Sequence, residues 1–323
     1  MHNTFVIGLG ALNVDHLYRV DQIVTDGETA VREFLQSPGG SAANTIYGLA
    51  RLGISSGFVG AVGADEIGRM IKEDLGSAGI DTSRITTKQS EQTGTVLCLT
   101  DSRGGRALYV SPASNGLLRW RDIDITYFNQ ADLIHMSSFV DNAQLEIQKR
   151  LAGRLTPNTK LSFAPGAMYV SRGMDQLVPI LSRTDVLFLN EAELWTLTAY
   201  DMFDGAKACS NIGCRIVVVT LGAGKSFAED KCYTCYIHTK EQDYFVENLA
   251  TSSSPVVDTT GAGDAFAAGF LYGLTLQYDL QTCGQFGNIL ASFSIMQMGG
   301  RSGLPSIPDF LKEYDHYYGA QPE

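Results

Sequence analysis

The sequence predicts an α/β fold, a doubly wound and mostly parallel sheet that carries a small β-lid. Two observations predict it. Short apolar runs alternate with helix-like runs along most of the 323 residues, and repeated β-α units of this kind build a parallel sheet with helices on both faces. Two stretches break that rhythm, at about residues 12–37 and 92–111, and both are rich in β-formers. Strands inserted into a β-α order imply a second, smaller sheet outside the main one. The reading is a single α/β domain over residues 1–323 with a discontinuous lid.

The elements follow in order. Residues 4–9 are β-rich. Residues 41–52 have apolar side chains at 42, 43, 46, 49, 50 and 52, a helical spacing that Gly53 ends. Residues 57–62 form a short apolar strand. In residues 67–78 the side chains of Ile67, Met70, Ile71, Leu75 and Ala78 share one helical face, and Gly79 stops the run. Residues 92–111 read as a hairpin, with the turn in Asp101-Ser102-Arg103-Gly104-Gly105. Later strands are expected at 133–136, 160–163, 186–189 and 216–221. Ser252-Ser253-Ser254-Pro255 reads as a short loop.

Composition narrows the function. Hydrophobic residues make up 44% of the chain and charged residues 18%, as in an ordinary globular protein. The formal charge of −11 argues against a nucleic-acid partner, which needs a basic face. Residues 5–12 are apolar or Gly, but Asn13 and Asp15 follow. That is neither a signal peptide nor the ~20 apolar residues of a membrane span, so a cytoplasmic protein is expected. Cys98 and Cys214 lie in or beside apolar strands and read as buried thiols. Cys232 and Cys235, with Cys209 and Cys214, could supply four zinc ligands, but an incidental pair in a hairpin fits the spacing better.

The chemistry concentrates in Asp258-Thr259-Thr260-Gly261-Ala262-Gly263-Asp264-Ala265-Phe266, a small-residue turn opening an apolar helix. Amides at a helix N-terminus have no intrahelical partner, and with the helix dipole they attract a phosphate. A carboxylate there repels a phosphate, so Asp264 either caps the helix or takes a proton from a hydroxyl that attacks the phosphate. Pro38-Gly39-Gly40-Ser41-Ala42-Ala43-Asn44 is a second Gly turn before a helix, with Ser41 as its candidate N-cap and Asn44 in the first turn. Asn13 and Asp15 share one side of an extended chain and suit sugar hydroxyls. His16 is the one histidine near them. Asn190 and Glu193 share the first turn of a helix, where the carboxylate could hold a metal-bound water or form a capping interaction. Thr220-Leu221-Gly222 marks a strand end, a usual ligand position in α/β sheets. A Rossmann fingerprint fails because Asn13 stands where a third Gly is required, and a P-loop fails because Val219 stands where its first Gly would be.

Taken together these pieces resemble the ribokinase family, the PfkB-type carbohydrate kinases. Gly39-Gly40-Ser41-Ala42-Ala43-Asn44, continuing through Phe58-Val59-Gly60-Ala61-Val62-Gly63, is similar to the family's N-terminal motif. Asp258 through Phe270 is similar to its C-terminal one. The resemblance implies ATP-dependent phosphorylation of a primary hydroxyl on a small sugar, with a nucleoside as the alternative acceptor. A non-catalytic sensor of sugars or nucleotides is the reading from a different class. By position, Asp264 would be the base, and Gly261, Ala262 and Gly263 the anion hole. Asn13, Asp15, Gly39, Gly40 and Asn44 would contact the sugar. Asn190 and Glu193 would serve the phosphates, Glu193 holding Mg²⁺ through water. Thr220, Gly222 and Asn288 would line the nucleotide site. Carbonyls of Asp258 and Thr260, with the loop at 299–303, would hold a monovalent cation such as K⁺. Lys225 stands where the family's nucleotide loop commonly has a second Gly. Tyr18 and Phe34 are the lid aromatics that would stack on a nucleoside base. An open lid edge could pair two copies into a homodimer.

Overall fold

The computed structural model describes residues 4–101, 103, 105–228, 231–249 and 256–319. Residues 252–255, and Ser102 and Gly104 of the hairpin turn, lie outside the described residues. In chain order the elements are β1 (Phe5–Leu9), β2 (Asn13–Val20), β3 (Val31–Gly39), α1 (Ser41–Arg51), β4 (Ser55–Gly63), α2 (Glu66–Ser77), β5 (Ile85–Lys88), β6 (Gly94–Asp101), β7 (Arg106–Ser111) and α3 (Ile125–Phe128). They continue as β8 (Leu133–Ser137), α4 (Asn142–Ala152), β9 (Lys160–Ala164), α5 (Gly166–Val170), α6 (Met174–Leu181), β10 (Val186–Asn190), α7 (Glu191–Thr198), α8 (Met202–Ile212), β11 (Ile216–Ala228), β12 (Lys231–His238), β13 (Asp243–Glu247), α9 (Ala262–Thr275), α10 (Leu280–Ser294) and α11 (Ile307–Tyr318).

Nine strands form one sheet in the order β13-β12-β11-β10-β9-β8-β1-β4-β5. All neighbours from β11 to β5 are parallel, and β12 and β13 add antiparallel strands at one edge. The order turns back at β1, which pairs β4 on one side and β8 on the other, and ligands gather at the strand ends around such a point. Successive residues of β1 feed opposite faces. Val6 belongs to the buried cluster that also holds Phe58, Ile237, Phe270 and Phe286, whereas Ile7 belongs to the one that holds Met136, Phe163, Leu187 and Val217. Helix α9 is buried continuously from Ala265 to Gly273, which its nearly all-apolar sequence requires.

The remaining four strands form the lid, ordered β3-β2-β6-β7. β2 runs antiparallel to β3 and parallel to β6, and β6 and β7 form the expected hairpin. Cys98 is buried in this sheet, and Cys214 is buried in the main core. Cys232 and Cys235 sit on β12 of the β11–β12 hairpin. Among the described residues no three His, Cys, Asp or Glu side chains gather where a metal could be held.

One boundary differs from expectation. β11 does not stop at residue 221 but runs on to Ala228, with its pairing to β12 interrupted between Thr220 and Lys225. The interruption pushes Leu221-Gly222-Ala223-Gly224 out of the ladder as a bulged loop at the end of the parallel sheet.

Candidate active site

Gly261 is the N-cap residue of α9, and its φ of 78° suits a residue without Cβ; a Cβ there would lie 2.6 Å from the Cα of Gly300. This close approach holds the loop at 299–303 against the helix start. Asp258 ties the same corner: its Oδ1 accepts from the Thr260 amide (2.9 Å) and hydroxyl (2.7 Å), and its Oδ2 from the Gly299 amide (3.0 Å). Asp264 sits in the first turn and makes no side-chain cap bond, so the cap reading of this residue is not what the fold uses. Its carboxylate points instead at α1, accepting from Ser41 Oγ at 2.7 Å and from Asn44 Nδ2 at 2.8 Å. Burial raises the Asp264 pKa above the usual carboxylate range, against those two hydrogen bonds and the charges of Arg301 and Arg106. A cap by Ser41 is likewise corrected. Gly40, with φ 104°, is the N-cap residue of α1, and it leaves the Ser41 hydroxyl free for Asp264.

β2 brings Asp15 beside this pair. Asp15 is buried, its Oδ1 has no hydrogen-bond partner among the described residues, and burial pushes its carboxyl up to about 7 despite the nearby Arg301 guanidinium. Gly39 leaves room for it, since a Cβ at 39 would lie 2.3 Å from its carboxylate oxygens. Asn13 is also buried, and its Oδ1 accepts from Asn115 Nδ2 at 2.9 Å. His16, Tyr18 and Phe34 have the opposite parity and lie on the far face of the lid. There Tyr18 and Phe34 pack ring on ring at 4.7 Å, and His16 bonds Gln36 at 3.0 Å. The expectation that these aromatics line the cleft, and that His16 neighbours the site, is therefore corrected by the pleat.

On the other side, Asn190 and Glu193 form a reciprocal capping box at the start of α7. Asn190 Oδ1 accepts from the Glu193 amide (2.8 Å), and Glu193 Oε2 accepts from the Asn190 amide (3.0 Å). Burial raises the Glu193 pKa, and the neighbouring Asp264 charge raises it further. Gly222 lies in the bulged loop after Thr220, and Lys225 closes that loop with an ion pair to Glu191 at 2.5 Å. Asn288 is buried on α10, where its Oδ1 accepts from Thr234 and its Nδ2 donates to the Glu247 carbonyl. Both ends of that amide thus fasten α10 to β12 and β13.

A cavity of about 150 Å³ joins the two sides, lined among others by Ser41, Asn190, Glu193, Thr220, Gly263 and Asp264. A Cβ built on Gly263 would meet nothing within 4 Å, so the helix start is open toward this space. Helix-start amides, a carboxylate with a raised pKa and a second carboxylate across one cavity are the parts that phosphoryl transfer to a hydroxyl uses.

Residues 3–307 match the pfkB family of carbohydrate kinases. The chain belongs to that family. It is a phosphotransferase with an alcohol group as acceptor. An uncharacterized sugar kinase of Archaeoglobus fulgidus is 35% identical over 265 residues, 81% of this chain and 100% of that protein. An ATP-dependent ribose-1-phosphate kinase of Halopiger xanaduensis is 30% identical over 311 residues, 95% of this chain and 98% of its own. In fold, this pfkB-family chain is similar to Arabidopsis thaliana ribokinase complexed with ribose and ATP. The TM-score is 0.82 at 22% identity, with 97% of this chain and 99% of that one covered.

Within this kinase the cavity brings together Asn190, Glu193, Thr220, Gly263 and Asp264. Asn44 joins them through Asp264. Asp15, Gly39 and Gly40 gather on the lid side, while Asn288 stands apart beside β12 and β13. Sequence reasoning missed Arg301, which is buried and hydrogen-bonded to Asn44, Gly39 and Asp74. The only available signal was a lone arginine inside the glycine-rich run 299–303. Ser41 was noticed, but as a cap.

Proposed function

We propose that this kinase transfers the γ-phosphoryl group of ATP to a primary hydroxyl of a small sugar, with Asp264 as the base. One observation carries the reading: the Asp264 carboxylate, at an open helix start, faces Asn190, Glu193 and Thr220 across a single cavity. The acceptor sits between Asp264 and the lid, its hydroxyls donating to the unpartnered Asp15 Oδ1 and meeting Asn13, Gly39, Gly40 and Asn44. The nucleotide lies along Thr220 and Gly222 toward Asn288. As its hydroxyl attacks, the acceptor gives its proton to Asp264, which releases its bonds to Ser41 and Asn44. The amides at Gly261, Ala262 and Gly263 meet the charge that develops on the phosphoryl oxygens. Closure of the lid excludes water.

The donor set fits two ions. Glu193, a carboxylate lining the cavity, suits Mg²⁺ held through a water, and bound Mg²⁺ neutralises phosphate charge. The backbone at Asp258 and Thr260, pressed against the 299–303 loop, suits a monovalent cation such as K⁺. A nucleoside acceptor is less well served, because Tyr18 and Phe34 face away from Asp15. Dependence on ATP makes the cytoplasm the expected compartment; no described helix is long and apolar enough to cross a membrane. The exposed apolar outer face of the lid supports a homodimer formed through it.

The test is ATP consumption with Mg²⁺, with and without K⁺, across pentoses, hexoses, ketoses, nucleosides and ribose 1-phosphate. Turnover with a sugar acceptor is expected. Folded protein that binds ATP but phosphorylates none of these would contradict the reading.

A further inference from the structure

Four side chains from distant parts of the chain form one chain of hydrogen bonds. Asp74 on α2 accepts from Arg301 Nη1 at 2.5 Å, Arg301 Nε donates to Asn44 Oδ1 at 2.9 Å, and Asn44 Nδ2 donates to Asp264 Oδ2 at 2.8 Å. The second terminal nitrogen of Arg301 donates to the Gly39 carbonyl at 3.0 Å. Arg301 is buried, and its guanidinium lies over the Tyr47 ring at 5.4 Å.

The chemistry of the donors gives this arrangement a direction. A side-chain amide has two ends that can exchange by a flip, and only the NH₂ end can donate to a carboxylate. A guanidinium only donates, so the Asn44 atom facing Arg301 must be the oxygen, which turns the NH₂ end to Asp264. An arginine is needed for this. Its rigid fork reaches Asn44, Gly39 and Asp74 at once, and a lysine ammonium on a flexible stem does not reproduce that geometry. Asp74 pairs with the buried guanidinium, and Asp15 and Asp264 place further negative charge nearby.

We propose that Arg301 is a positioning residue of this kinase: through Asn44 it aims the Asp264 carboxylate, and through Gly39 it holds the turn that leads into α1. It touches neither the acceptor hydroxyl nor the phosphoryl group. The proposal rests on the reading of Asp264 as the base only for its kinetic consequence; the orientation of Asn44 stands apart from that reading.

The experiment compares wild type with Arg301→Met, Arg301→Lys, Asn44→Ala and the double variant of Arg301→Met with Asn44→Ala. Loss of a charge-assisted hydrogen bond predicts a kcat about 10- to 100-fold lower for Arg301→Met, with KM for ATP unchanged. Arg301→Lys recovers only part of it. Because Arg301 positions the base through Asn44, the loss in the double variant is expected to be smaller than the product of the two single losses. A crystal structure of Arg301→Met, or of Arg301→Lys if the former does not fold, is expected to find the Asn44 side chain, freed at its oxygen end, shifted out of hydrogen-bond reach of Asp264. An Asn44 amide still bonded to Asp264 in that structure overturns the proposal, whether or not any acceptor is turned over. So does a kcat within about twofold of wild type, or independent, multiplying losses in the double variant. Wild-type protein inactive toward every acceptor would instead strike at the proposed function, and the crystal structure would still decide the orientation.

Discussion

Asp15 is the residue whose environment says most about what this cleft waits for. Its carboxyl is buried, unpartnered at Oδ1 and pushed up to about 7, so near neutral pH it is poised between acid and carboxylate. Acceptor hydroxyls bind the carboxylate form, which predicts that kcat/KM for the sugar falls as pH drops below about 7, read from a pH profile at saturating ATP. The same shift has a stability sign. An unfolded Asp titrates near 3.9. Between that value and about 7 the folded state holds the extra proton, so folding loses stability as pH rises through the window and carries the full penalty above it. Asp15→Asn is therefore expected to raise the thermal midpoint at pH 8 and to leave it nearly unchanged at pH 4. An equal gain at both values would count against a buried carboxylate with an unpartnered Oδ1.

At the level of elements, the N-terminus of α1 shows how tightly the fold constrains the site. Gly40 has φ 104°, and a Cβ there would lie 2.1 Å from the Ala11 carbonyl oxygen. Gly40→Ala is expected to cost about 1–3 kcal/mol of stability by chemical denaturation, and to lower activity by displacing Ser41 and Asn44 from Asp264. Much of this scale was legible in the sequence. The helical spacing of 41–52, the hairpin over 92–111 and the apolar run after Asp264 each carry a period or turn chemistry that acts locally. What stayed hidden depends on contacts between distant segments. Arg301 became visible only when the fold brought residue 301 against residues 39, 44 and 74. Tyr18 and Phe34 looked like cleft residues because composition does not say which face of the lid turns inward; only the position of Asp15 on β2 does. Ser41 looked like a cap because its preference for that place is strong, yet Gly40 already fills it.

The described residues form a nine-stranded sheet and a separate four-stranded lid. The inner face of the lid offers Asp15, and the outer face leaves Leu97, Phe34 and Tyr109 exposed at 37%, 52% and 60%. These are the side chains that the proposed homodimer would cover. Light scattering is expected to find a species of twice the chain mass, and Phe34→Lys to shift it toward the monomer; a wild-type monomer at all concentrations would remove the dimer from the account. The central claim concerns Asp264, and single-turnover phosphoryl transfer by Asp264→Asn tests it most directly. Asparagine keeps the shape but cannot accept the hydroxyl proton, so the variant should bind ATP and sugar like wild type while transferring the phosphoryl group ~10²-fold or more slowly. Transfer at the wild-type rate would contradict the role of Asp264 as the base.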